Sequence, residues 1–194
     1  MAWVRLRRFL KHLEKRGEVL RINRPVDVAY EAGAIADLLV KNDGPAVVFE
    51  QPRLADGSIS PMPLVMNLFG SHQRTLDALG ASHETEVGDR MTAMMKPDIG
   101  TFVKMPWKAL PLARDAFAMP PRKKRIAAPC QQVRMKKPDL TKLPIPKTWP
   151  MDGGHFVTLP LVVTKDPNTG DHNLGMYRAQ VFDCLLYTSP SPRD

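Results

Sequence analysis

Cysteine is scarce in this 194-residue chain. Only Cys130 and Cys184 occur, too few for a disulfide framework or a thiolate zinc site. No apolar run approaches the roughly 20 residues that span a bilayer, and Met1-Ala2-Trp3-Val4-Arg5 carries no signal-peptide core. The sequence therefore reads as cytoplasmic, with at most peripheral membrane association. Gly-rich phosphate loops of the Walker or Rossmann type are missing, as are a Gly-x-Ser-x-Gly elbow and a paired-His metal motif. Those absences remove the most recognisable nucleotide-binding and hydrolase signatures.

Hydrophobic residues at 43% and charged residues at 25% lie in the globular range, which excludes wholesale disorder. The length holds one good domain, or a small domain plus part of another. Proline is abundant, at 19 residues, and ten of these fall in positions 97–150, which marks a long ordered connection. The net charge of +8 raises nucleic acid, membrane surfaces and anionic ligands as partners. Only Arg122-Lys123-Lys124-Arg125 concentrates that charge. It has neither interleaved aromatics nor a reading helix, so it reads as a solvated face or an intersubunit contact, and nucleic acid is not expected. The alternative function is a small basic module that grips an anionic polymer through this cluster, betrayed by a steep salt dependence.

Trp3, Leu6, Phe9, Leu10 and Leu13 recur at helical spacing and Gly17 stops the helix. Val19-Leu20-Arg21-Ile22 reads as a short strand halted by Asn23-Arg24-Pro25. A second helix covers about 30–40, burying Ile35, Leu38 and Leu39. Ala46-Val47-Val48-Phe49 and Pro63-Leu64-Val65-Met66-Asn67 read as strands buried on both faces. The loop between them, 52–61, turns at Asp56-Gly57. Ser71 is placed to cap a third helix that ends at Gly80, and a fourth spans 84–95. Helices alternating with short apolar strands give an α/β layer architecture.

From 97 to 150 periodicity fades into an arm that lies against the body, since a bare loop of that length is unusual in a compact domain. Phe156-Val157-Thr158-Leu159 and Leu161-Val162-Val163-Thr164 are strand-like, with Pro160 forcing a bend. Asp166-Pro167-Asn168-Thr169-Gly170 is a turn, and 173–182 is expected as the returning strand. The organisation expected is an N-terminal α/β domain over 1–110, a Pro-rich arm over 111–150 and the start of a β-domain over 151–183. Residues 184–194 lose all pattern and read as a frameshift, vector or assembly scar, or as a disordered tail.

The chemistry-bearing run is Asn173-Leu174-Gly175-Met176-Tyr177-Arg178. A carboxamide can ligate a hard cation through its oxygen or donate its N–H to a phosphate, and a guanidinium can hold an anion or a carboxylate. Plain turn residues at a hairpin mouth explain the same run. If the hairpin pairs across its turn, Thr158 comes close to Asn173. His155, after Gly153-Gly154, is a candidate ligand or proton carrier, or an ordinary loop residue. Cys130 is a candidate thiol or a packed small residue. His12 and His72 fall on helices and read as structural.

Several segments together resemble the UbiD-family decarboxylases. Gly44-Pro45-Ala46-Val47-Val48-Phe49-Glu50 and Asn67-Leu68-Phe69-Gly70 resemble their N-terminal domain. Ala128-Pro129-Cys130-Gln131-Gln132, the stretch from Leu143-Pro144-Ile145-Pro146 to Trp149-Pro150, and Asn173 through Arg178 follow in the family's order. The likeness covers about 1–183. It implies an α/β (α+β) N-terminal domain followed by the incomplete start of a split β-barrel that binds prenylated FMN.

The resemblance implies that Asn173 ligates a divalent metal, usually Mn2+, on the flavin phosphate. It further implies that Thr158, Met176, Tyr177 and Arg178 line the cofactor, and that Arg178 is the catalytic group that holds the substrate carboxylate. The implied reaction is reversible, non-oxidative decarboxylation of an aromatic or α,β-unsaturated acid, such as a polyprenyl-hydroxybenzoate of ubiquinone synthesis. A homo-oligomer is implied for the full-length protein. The family's other metal ligands, acidic proton donor and C-terminal domain fall beyond 183, so this chain is expected to be a fragment without turnover. An ordinary FMN split-barrel protein is a third reading, and manganese dependence would separate it.

Overall fold

The computed structural model describes residues 5–96 and 132–188, together with positions 107, 110, 113, 114, 117 and 128. Arg122 through Arg125, Cys130 and part of the expected arm lie outside the described residues. Two compact units are present, one of Met1–Phe9 and His72–Arg134, the other of Leu10–Ser71 and Met135–Asp194. Helix α1, Leu6–Lys15, straddles the division, with Phe9 and Leu13 buried.

The larger unit opens with a three-stranded sheet. β1 (Val19–Asp27) runs parallel to β2 (Ala46–Arg53), and β3 (Leu64–Met66) pairs antiparallel on the other side of β2. The parallel pair needs a crossover, supplied by α2 (Glu31–Lys41). Val26, Ala32, Val47 and Phe49 form the core, against which Ile22, Ile35, Leu39, Leu64 and Met66 pack. β2 is central, which is why Ala46, Val47, Val48 and Phe49 are all buried.

Three expectations change here. β1 continues through Pro25, because it is an edge strand and the register shifts between Ile22 and Pro25, so the missing N–H costs no ladder bond. β3 is half-buried rather than enclosed, being the other edge. Helix α2 turns Ala32, Gly33 and Ala36 inward and leaves Leu38 exposed. Ala32 packs into the core with Val47 and Phe49, while Gly33 is covered by another segment that passes over the helix.

That segment is 145–148. Lys147 donates its N–H to the Val28 carbonyl at 3.1 Å, and its own carbonyl accepts from Tyr30 N–H at 2.8 Å. Ala29 and Lys147 form a parallel bridge. A Cβ added at Gly33 would lie 2.9 Å from the Thr148 carbonyl oxygen, so glycine lets the backbone pass. Lys142 reaches Asp56 at 2.7 Å, tying the tip of the hairpin at 54–58 to a 3₁₀ turn over Leu140–Lys142.

The rest of this unit is antiparallel. β4 (His155–Val157) pairs with β7 (Ala179–Val181), while β5 (Leu161–Lys165) and β6 (His172–Met176) make a separate two-stranded ribbon. The expected returning strand is thus divided at Tyr177-Arg178, where the chain leaves one sheet for the other. The turn at 166–170 forms as expected. Asp166 accepts from the N–H groups of Asn168 and Thr169, and Gly170 takes φ 78°. Contrary to the patternless tail expected, β8 (Tyr187–Thr188) adds to β7 through a turn capped by Asp183. Two residues are too few for a pattern to show.

In the smaller unit α3 (His72–Leu79) ends at Gly80, φ 66°, and α4 covers Glu84–Met95. Both follow the sequence expectation.

Candidate functional site

Arg178 occupies the step between β6 and β7. Phe156 stands opposite Gln180 in the β4–β7 ladder. Residues two apart on a strand share a face, so Arg178 falls diagonally across from Phe156. Its guanidinium carbon lies 3.7 Å from the centroid of the Phe156 ring, within cation–π range. Nη2 also donates to Asp152 Oδ2 at 3.2 Å.

Asp152 is fixed by the turn before β4. Its N–H donates to the Trp149 carbonyl at 3.1 Å, and its Oδ2 accepts from the Trp149 N–H at 3.4 Å. Gly153 follows, where a Cβ would come within 3.0 Å of the Gln180 carboxamide nitrogen. Glycine therefore lets β7 approach the turn. Arg178 was picked out from the sequence, but Asp152 and Phe156 were missed. Both are remote in sequence, and only the strand register brings them to the guanidinium.

Asn173 is exposed on β6 and stands opposite Thr164, not Thr158. Its carboxamide has no hydrogen-bond partner among the described residues. Thr158 instead follows Val157, which pairs with Ala179, so Thr158 and Arg178 flank the last pair of the β4–β7 ladder. A Cβ at Gly175 would run into the Tyr177 ring, so that ring folds back onto the face of β6 that carries Asn173. Met176 belongs to the opposite face, where it stands across from Leu161 with Leu174 across from Val163. All four of those apolar side chains are exposed.

His155 Nδ1 lies 2.6 Å from the Ile145 carbonyl oxygen. A carbonyl only accepts, so Nδ1 carries the proton and the ring acts as a tether between β4 and the 145–148 segment. It lines a cavity of about 130 Å³ with Val28, Leu54, Leu140, Ile145 and Val181. A second concavity, about 310 Å³, is walled by Val157, Pro160, Leu161, Val162 and Ala179. Neither Asn173 nor Arg178 lines either hollow. Among the described residues no group of three His, Cys, Asp or Glu is placed to hold a metal. Cys184 is exposed and not disulfide-bonded. His72 Nε2 lies 3.2 Å from Glu84 Oε1, with both side chains exposed.

Comparison with known proteins gives this geometry its context. Residues 10–94 match the 3-octaprenyl-4-hydroxybenzoate carboxy-lyase N-terminal domain, and 122–189 match the Rift-related domain of the same enzyme. An uncharacterized protein of Archaeoglobus fulgidus is 39% identical over 183 residues, 94% of this chain and 36% of that protein. Vanillic acid decarboxylase of Sedimentibacter hydroxybenzoicus, in its closed form, superposes with a TM-score of 0.72 at 26% identity, over 95% of this chain and 36% of that one. The UbiD-class enzyme HmfF of Pelotomaculum thermopropionicum, solved with FMN, shares the fold at a TM-score of 0.69 and 23% identity, over 92% and 35%. The chain spans about a third of the length of these relatives. With both of its matched regions in the family's order, the chain belongs to the UbiD family.

Proposed function

We propose that this chain is the front portion of a decarboxylase that removes carbon dioxide, reversibly and without net oxidation, from an aromatic or α,β-unsaturated carboxylic acid with the help of prenylated FMN. The observation that carries the reading is the state of Arg178. It is stacked and hydrogen-bonded through one nitrogen, yet its side chain is still 45% exposed. A guanidinium has five N–H donors, so several remain for a substrate carboxylate. The UbiD-class neighbours, one with FMN bound, support the assignment of cofactor and reaction.

The donor set fits one side of a metal-flavin site. The exposed Asn173 carboxamide offers a neutral oxygen with no competing bond among the described residues, suited to a hard ion such as Mn2+ that keeps waters and phosphate oxygens in its shell. It would be one ligand among several. Tyr177, folded over Gly175 beside Asn173, would offer its ring to the flavin, with Met176 and Thr158 as further cofactor contacts. When bound, prenylated FMN supplies the electron sink for the pair left by the departing carbon dioxide. Arg178 binds and orients the carboxylate, and its charge favours the ionised acid.

We assign 1–110 to the N-terminal domain, 111–150 to the arm and 151–183 to the start of the flavin domain. The whole protein would act as a cytosolic homo-oligomer. No helix of the described residues is long and apolar enough to cross a membrane.

The test is to read the source DNA past codon 183, express the complete frame with prenylated FMN, and follow carbon dioxide release from a panel of aromatic and unsaturated acids. Release that depends on cofactor and is abolished in Arg178→Ala is expected. Undiminished release in that variant would overturn the role of Arg178. The 194-residue chain alone is expected to release none, and cofactor-dependent release from it would refute the fragment reading.

A further inference from the structure

We infer that Asp152 and Phe156 are positioning residues that set the plane of the Arg178 guanidinium for a carboxylate. The inference deepens the reading of Arg178 given above and rests on it. Three observations converge on it. The Asp152 side chain is only 16% exposed, whereas that of Arg178, its partner at 3.2 Å, is 45% exposed. The carboxylate is thus a fixed inner post and the guanidinium an outward-facing group. The Phe156 ring, itself buried, lies beneath the cation with its centroid 3.7 Å from the guanidinium carbon and supplies a second contact. The post does not float: the Trp149 N–H and carbonyl both bond to Asp152, and Gly153-Gly154 carry the chain directly into β4.

A guanidinium held at one nitrogen and over one ring has less orientational freedom than an arginine in solution, and its planar fork leaves further N–H donors for a ligand. That is the geometry a bidentate carboxylate requires. Arg178 also sits where the chain steps between two sheets, with no ladder bond of its own to hold it. The side-chain contacts are what define its position. A purely structural ion pair would have no need of an exposed cation edge.

The experiment uses the 194-residue chain labelled with ¹⁵N-arginine, with the Arg178 side-chain resonances identified by their loss in Arg178→Lys. In the wild type those resonances are expected to carry a ring-current shift from Phe156 and restricted motion. Asp152→Ala and Phe156→Leu should remove both signatures while backbone resonances of β1 and β2 stay in place. Asp152→Asn, which keeps an acceptor oxygen, should retain them. Mobile, unshifted Arg178 signals in the wild type, or signals unchanged in Asp152→Ala, would overturn the inference. Benzoate then separates it from the functional reading. Ordered Arg178 signals that move with benzoate, and move less in Asp152→Ala, support both. Ordered signals that ignore benzoate leave the positioning intact and count against the carboxylate site.

Discussion

Replacing Gly33 by alanine tests how the 145–148 segment is held, and a second glycine provides the control. In a helix interior alanine is favoured over glycine by about 1 kcal/mol. At Gly88, in α4, a Cβ meets nothing within 4 Å, so Gly88→Ala should gain that amount. At Gly33 the new Cβ would lie 2.9 Å from the Thr148 carbonyl oxygen and 3.1 Å from its Cα. Both are backbone atoms, held by the Lys147 bonds to Val28 and Tyr30, and they cannot rotate away. Overpacking of this kind costs about 1–3 kcal/mol. After the helical gain is subtracted, Gly33→Ala should lose up to about 2 kcal/mol. Native-state hydrogen exchange reads each helix separately, so the two substitutions can be compared in their own surroundings. Protection should fall in α2 and rise in α4. A rise in α2 like that in α4 would show that the 145–148 segment does not press on the helix, and the packing argument would fail.

Other expectations follow from the same structure. Asn67 holds φ 54° and donates to the carbonyls of Gly44 and Pro45 at 3.2 and 2.9 Å, so Asn67→Ala should destabilise by roughly 2 kcal/mol or more in urea unfolding, and Asn67→Gly by less. Phe49 is fully buried in the central strand, and Phe49→Ala should cost about 3–5 kcal/mol, read from the urea midpoint. The Lys142 ammonium, helped by Ser58, holds the Asp56 carboxyl well below its ordinary value, while Asp56 raises Lys142. A depressed carboxyl stabilises above its unfolded pKa of about 4 and loses that contribution as pH falls; the raised lysine stabilises below about 10 and loses it above. Lys142→Met should therefore lower stability slightly at neutral pH, a small loss because both groups are exposed and screened, and flatten the acid limb below about pH 4 by the same amount, so that variant and wild type converge in acid. An unchanged acid limb would refute the pairing.

Much of this was legible because local chemistry agreed with the fold. Helix α4 was read at both ends, and the turn at 166–170 followed from an aspartate and a glycine that need nothing beyond their own neighbours. Pro25 misled, since its meaning depends on whether the strand is an edge, and that is set by the whole sheet. The division at Tyr177-Arg178 was invisible because both halves are strand-like, and only partner strands decide which sheet each joins. The same limit hid Asp152 and Phe156, which lie 26 and 22 positions before Arg178 and meet it through ladder register. Asn173 and Arg178 were visible as chemistry in the sequence. Their relation to the two sheets was not.

The central claim is that the face of β6 bearing Asn173 and the step bearing Arg178 form one side of a metal-flavin site. Paramagnetic broadening tests it even where binding is weak, because a small bound fraction suffices to relax nearby nuclei. Mn2+ added with FMN to ¹⁵N-labelled chain should broaden the Asn173 carboxamide first and the Arg178 side chain next, and Asn173→Leu should abolish the effect at both. Broadening that bypasses residue 173, or that survives Asn173→Leu, would contradict the account.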